Sequence, residues 1–233
     1  MLDERERPDG ECRAAMIEFR NVVKYYPTRG GGRKVLLDGL NLTLPAGAKV
    51  ALLGRNGAGK SSLIGMIAGS VKLNGGEIRR VGTVSWPLGF AGSFAVDLTG
   101  AQNASFVARI YGVETDALVE YVADFAELGE FMRMPVRSYS AGMRARLAFG
   151  LSMGLSFDWY LVDEITAVGD ASFRKKSLAV FGDRLRNSGL IMVSHAYVTL
   201  REYCTSGLVI ENGQARYFEN LDEAISVHEA NMS

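Results

Sequence analysis

The sequence predicts an α/β fold carrying an inserted helical segment, and three observations make that prediction. The apolar run Lys49-Val50-Ala51-Leu52-Leu53 leads into a glycine-rich loop and then into Ser62-Leu63-Ile64-Gly65-Met66-Ile67-Ala68, which is the order strand, loop, helix. From about residue 99 to 155 the pattern changes to helical periodicity with few β-branched residues, over 101–111, 114–128 and 141–155. Two short apolar runs follow, 159–162 and 190–193, which read as buried strands with a helix over 173–186 between them.

The remaining elements follow in order. Residues 1–15 begin with a charged stretch, Asp3-Glu4-Arg5-Glu6-Arg7, lack the apolar centre of a signal peptide, and read as a disordered tail. Residues 17–22 and 35–44 read as strands around a Gly-rich turn at 29–32, and Pro45-Ala46-Gly47 makes a second turn. Asn74-Gly75-Gly76 turns into a strand over 77–81, and 88–97 reads as irregular. Near the end, 207–210 and 215–218 flank Glu211-Asn212-Gly213-Gln214 as a hairpin, because Asn-Gly supplies the positive φ angles of a tight turn. A helix over 221–229 closes the series, with Asn220 as its cap.

Composition narrows the class. The chain has 233 residues, 48% of them hydrophobic, enough for one α/β domain with a subdomain. Lysine plus arginine and aspartate plus glutamate are both 26, so no global basic field points to nucleic acid. Cys12 and Cys204 are far apart and have no metal spacing, which fits a reducing compartment. No apolar run reaches the roughly 18 residues of a membrane span.

The chemistry is concentrated in a few motifs. Gly54-Arg55-Asn56-Gly57-Ala58-Gly59-Lys60-Ser61 is a complete G-x-x-x-x-G-K-[ST] loop. Its glycines let the backbone turn sharply, and its amides and the following helix start attract anionic oxygen. Lys60 is placed to reach β- and γ-phosphates, and the Ser61 hydroxyl to ligate Mg²⁺. Asp163 and Glu164 end an apolar strand, where α/β folds bind ligands. Asp163 can hold Mg²⁺ through water, and Glu164 can polarise a water for attack on phosphorus. Ser140 and Gly142, at a helix start, present a hydroxyl and N–H groups to an anion. Arg144 and Arg146 follow as a solvated face. His195, after the strand over 190–193, is placed to meet a γ-phosphate and Glu164, whereas His228 reads as a surface residue.

Together these segments resemble the ATP-binding subunits of ABC transporters from about residue 16 onward. Residues 54–61 resemble the Walker A motif, Tyr139-Ser140-Ala141-Gly142-Met143 the signature motif and residues 159–164 Walker B. Ala167-Val168-Gly169-Asp170 sits where the D-loop belongs, and His195 matches the switch histidine. Tyr26, better than Tyr25, matches the aromatic that stacks on adenine. Val84-Ser85-Trp86-Pro87-Leu88-Gly89-Phe90-Ala91-Gly92-Ser93-Phe94, with 140–149 and 164–170, is similar to the capsular-polysaccharide exporter ATPases of Gram-negative bacteria. Related O-antigen exporters can carry a C-terminal carbohydrate-binding domain, for which no sequence follows the helix over 221–229.

The resemblance implies an ABC-type P-loop NTPase: a mixed β-sheet core, an antiparallel β subdomain, and a helical subdomain over about 99–155 within an ATP-binding domain over 16–233. It implies ATP and Mg²⁺ as ligands, held by Tyr26, Gly54, Arg55, Asn56, Gly57, Ala58, Gly59, Lys60, Ser61, Ser62 and Asp163. Glu164, His195 and Lys60 would act in hydrolysis. Ser140 and Gly142 would serve the site of a second copy in a head-to-tail homodimer, with integral membrane permease subunits handling a polysaccharide or glycolipid at the inner face of the inner membrane. O-antigen or teichoic acid export is the alternative cargo, and a soluble non-transport ATPase the alternative class.

Three departures stand out. The family's usual glutamine near Trp86 is missing, since only Gln102 and Gln214 occur. Trp86 is therefore either core packing or part of a coupling surface. Ala141 replaces a signature glycine, and Met143 a glutamine.

Overall fold

The structure is a computed structural model and describes residues 15–28, 30–88, 94–164 and 170–232. Residues 1–14 of the expected tail, residues 89–93 and residues 165–169, which hold most of the D-loop match, lie outside the described residues.

Two sheets organise the chain. Strands β1 (Met16–Pro27), β2 (Arg33–Leu44) and β4 (Gly75–Val81) form an antiparallel sheet in the order β2-β1-β4. The second sheet comprises β3 (Lys49–Leu53), β5 (Val84–Pro87), β6 (Trp159–Asp163), β7 (Gly189–Val193), β8 (Ser206–Glu211) and β9 (Gln214–Phe218), in the order β5-β6-β7-β3-β8-β9. All its pairings are parallel except β8 with β9, so the sheet is mixed as expected.

The parallel strands are largely apolar because both faces are covered. In β3, Val50 and Leu52 point into one core while Ala51 and Leu53 point into the other. The first core joins that face to the antiparallel sheet through Ile17, Phe19, Leu37 and Leu44, and to helix α1 (Lys60–Ala68) through Leu63, Ile64 and Ile67. The second core takes Tyr160, Val162, Leu190 and Met192 and meets the remaining helices. These are α2 (Gly100–Tyr111), α3 (Thr115–Ala126), α4 (Ala141–Gly154), α5 (Ala171–Leu185), α6 (Tyr197–Tyr203) and α7 (Leu221–Met232).

Helix starts follow local chemistry. Thr99 and Gln102 form a reciprocal capping box on α2, Asp170 caps α5, and Asn220 accepts from the amides of Asp222 and Glu223 at the start of α7. The sequence reading missed β5, a four-residue edge strand ending in proline, where no ladder donor is required. It also missed α6, a seven-residue helix with Leu200 alone buried, too short to show a period.

Helix α7 lies against β8 at Gly207, where an added Cβ would sit 2.4 Å from the Ala224 Cβ. Gly207→Ala is therefore expected to push α7 off the sheet and lower stability by about 1–3 kcal/mol, read as a shifted urea midpoint with an unchanged slope.

Candidate functional site

The site lies where the parallel strands end. In the register, Asp163 of β6 stands beside Val193 of β7, so the residues just beyond these strands are neighbours. The Glu164 amide donates to the Val193 carbonyl at 3.0 Å, and the Ser194 hydroxyl oxygen accepts from the Ala196 amide at 3.1 Å, closing the turn that presents His195. His195 Nε2 then lies 2.8 Å from Glu164 Oε1. Glu164 has φ of 58°, in the left-handed region that non-glycine residues adopt at a cost, as residues at reactive sites often do.

The glycine loop leaves β3 on the other side of β7. Gly54, with φ of 156°, packs so closely on β8 that a Cβ would fall 2.7 Å from the Ile210 carbonyl oxygen. Gly59, with φ of 110°, would place a Cβ 2.9 Å from the Leu36 side chain. The loop can hold its arch only with glycine at these points. Lys60, the first residue of α1, donates through Nζ to the carbonyl oxygens of Gly54 at 2.6 Å and Arg55 at 3.1 Å. Partial burial pushes the Lys60 ammonium below the usual lysine value, opposed by the charges of Asp163 and Glu164.

A cleft of about 560 Å³ gathers these groups. Asn56, Gly57, Gly59, Lys60, Ser61 and Ser62 line it. Asp163, Glu164 and His195 line it as well, as does Tyr26 of β1. The Tyr26 hydroxyl is 3.3 Å from Ser62 Oγ, and Lys24 Nζ sits 4.4 Å over the Tyr26 ring. Of the remaining loop residues, Ala58 donates its amide to the Arg55 carbonyl. Arg55 turns its guanidinium out of the cleft, toward Glu211 and the Asn231 carbonyl of α7.

Ser140 and Gly142 are not brought to this cleft. Both are exposed at the start of α4, where Ser140 Oγ accepts from the Met143 amide at 3.1 Å. Within one chain, the anion-attracting helix start and the glycine loop are separate surfaces.

Sequence reasoning missed Lys34 and Leu36 of β2, which line the cleft. The signal was available, because Lys34 stands directly opposite Tyr26 in the β1–β2 hairpin. Two other readings change. Arg144 and Arg146 are not merely a solvated face: Arg144 donates to the Tyr139 carbonyl at 2.6 Å. Arg146 bridges Asp170 and Glu127 above the Phe173 ring. His228 is half-buried rather than a surface residue, and burial followed by the Lys60 charge lowers its pKa.

Trp86 is edge-on to Tyr111 and Phe157, with centroids 5.7 and 5.5 Å away, so it packs. It also faces a second groove of about 510 Å³ that runs to Ser61, Asp163 and Glu164.

Strand, loop, helix and cleft define a phosphate-binding α/β domain, and comparison with known proteins identifies it. The ABC transporter family model matches residues 37–167, and the chain belongs to that family as an ATP-binding domain. It is 46% identical over 213 residues to the polysialic acid transport ATP-binding protein KpsT of Escherichia coli, covering 90% of this chain and 95% of that protein. It is 43% identical to the capsule polysaccharide export ATP-binding protein CtrD of Neisseria meningitidis serogroup B, covering 90% and 96%. Similarity falls to 36% with the teichoic acids export ATP-binding protein TagH of Staphylococcus epidermidis, covering 83% and 75%. Among solved structures, the dimeric post-hydrolysis ATP-binding cassette MJ0796 bound to ADP and Pi has a TM-score of 0.70 at 18% identity, covering 86% of this chain and 97% of that one. At that identity the likeness concerns the fold.

Proposed function

We propose that this chain is the ATP-hydrolysing subunit of an exporter of capsular polysaccharide, working at the cytoplasmic face of the inner membrane with separate permease subunits. The reaction rests on one observation above all: the Glu164–His195 contact, 2.8 Å long, opens onto the same cleft as Lys60 and Ser61. The cargo rests on the 42–46% identity to KpsT, CtrD and the ATP-binding protein BexA of Haemophilus influenzae over about nine-tenths of the chain.

Glu164 takes the proton of a water whose oxygen attacks the γ-phosphorus of ATP. The bond from that phosphorus to the β,γ-bridging oxygen breaks, and ADP leaves with its electrons. His195, bonded to Glu164, orients the carboxylate, and Lys60 neutralises charge on the β- and γ-oxygens. Tyr26 carries the adenine.

Ser61 and Asp163 fit Mg²⁺, being hard oxygen donors on one cleft. Among the described residues no group of three or more His, Cys, Asp or Glu could hold a metal by themselves, so Mg²⁺ would share its coordination with the nucleotide phosphates. Held by Ser61 and Asp163, Mg²⁺ would supply positive charge to offset that of the phosphate oxygens.

The outward-facing Ser140 and Gly142 support a head-to-tail dimer in which each completes the γ-phosphate site of a second copy. No helix among the described residues is long and apolar enough to cross a membrane, which supports a transmembrane path supplied by other polypeptides. The groove at Trp86, which runs to Asp163 and Glu164, gives such a partner a docking surface, and Phe106 and Ile110 add exposed apolar side chains on α2. O-antigen or teichoic acid is the second reading of the cargo, favoured by the weaker similarity to TagH and to O-antigen export proteins RfbB.

Glu164→Gln should retain ATP binding and abolish turnover, trapping a dimer visible by size-exclusion chromatography in ATP; hydrolysis at the parent rate would refute the assignment of the base. Lys60→Ala should weaken ATP affinity by tenfold or more, about 1.4 kcal/mol or above, in a fluorescent-nucleotide titration. To test the cargo, the chain is purified with its membrane subunits and ATPase activity is measured with and without candidate glycolipids. Stimulation by capsule glycolipid, and not by O-antigen or teichoic acid precursors, is expected.

A further inference from the structure

Arg55 belongs to the phosphate loop, yet its side chain leaves the cleft. Its guanidinium donates to the carbonyl oxygen of Asn231, in the last turn of α7, and lies 3.9 Å from Glu211 at the end of β8. A cation suits the C-terminal end of a helix, where unpaired carbonyl oxygens carry partial negative charge. The main chain of Arg55 faces the other way, where its carbonyl oxygen accepts from Lys60 Nζ and from the Ala58 amide. One residue thus ties the α7 terminus to the group that fixes the Lys60 ammonium. Gly54 is seated against β8 in the same region, with the Ile210 carbonyl blocking any added Cβ.

We infer that Arg55 is a positioning residue through which the last turn of α7 sets the phosphate loop, and with it Lys60, for ATP. This rests on the ATP reading above. Its side chain contributes no direct contact to the phosphates. Instead it restrains the Gly54–Arg55 segment, so the carbonyl oxygens that hold Lys60 keep their direction. Without the restraint the loop samples more conformations, and nucleotide binding bears the ordering cost. The Glu164–His195 pair, just beyond the ends of β6 and β7, is untouched. The effect therefore falls on KM and leaves kcat unchanged.

The test is a double-mutant cycle on the full chain, with nucleotide affinity, KM and kcat measured. Arg55→Ala removes the guanidinium. Met232→Pro leaves it in place but drives Asn231 out of the helical region, turning its carbonyl away, at a side chain that is itself exposed. Each single variant is expected to raise KM and the dissociation constant for ATP by about threefold to tenfold, roughly 0.7–1.4 kcal/mol, with kcat within about twofold of the parent. The double variant should be no worse than the worse single one, since both cut the same link. Arg55→Lys should recover part of the affinity, because an ammonium can still donate to one carbonyl.

Additive effects, or a loss with Arg55→Ala and none with Met232→Pro, would mean that Arg55 acts on the nucleotide directly and would overturn the inference. So would unchanged affinity in both singles. A parent chain that bound no ATP would instead refute the functional reading on which the inference rests.

Discussion

The site depends on the burial of β3 on both faces between β7 and β8. Val50 and Leu52 are committed to one core and Ala51 and Leu53 to the other, so the strand cannot slip by one residue without exchanging its two faces. That constraint fixes the point at which the chain leaves the sheet at Gly54. The parallel pairing of β6 with β7 does the same for Glu164 and His195. Phosphate loop, carboxylates and histidine come together because three strands end at one edge of a sheet whose register the core enforces. The loop at 54–61, the carboxylates at 163–164 and the histidine at 195 lie far apart in sequence.

The second constraint is the division of labour between the two cores. Among the described residues, the antiparallel sheet lines the cleft through Tyr26, Lys34 and Leu36, while the helices over residues 100–154 contribute nothing to that lining and meet the neighbouring groove through Tyr111. The described cleft is thus built by the parallel sheet and the β1–β2 hairpin. The start of α4, carrying Ser140 and Gly142, is left facing outward on a different part of the molecule.

Much of this was legible from the residues because several signals are local and strict. A strand that runs into Gly54-Arg55-Asn56-Gly57-Ala58-Gly59-Lys60-Ser61 can hardly fold otherwise, and Asn212-Gly213 fixes the β8–β9 hairpin by its own φ preferences. Asp163, Glu164 and His195 were legible as strand-end residues, though their mutual distance was not. What escaped was tertiary. The edge strand β5 is too short to show a pattern, and α6 buries only Leu200. The destination of Arg55 lies on a helix more than 160 residues further along, and no local rule connects them. His228, in the last helix, read from the sequence as a surface residue. The approach of α7 to the loop half-buries it.

The tip of the β8–β9 hairpin is bonded to the other sheet, the Asp38 amide donating to the Gly213 carbonyl at 2.9 Å, with Gly213 packed on Val35. This is a seam between the sheet bearing Tyr26 and the sheet bearing the phosphate loop. A ligand touching both sides of the seam acts as a brace across it, and any ligand that prefers the closed seam must strengthen it by mass action. Local opening of the hairpin would unseat β2 and the loop support at Ile210 together. The slowest-exchanging amides of the nucleotide-bound state would then be found at this seam, not only within the cleft itself.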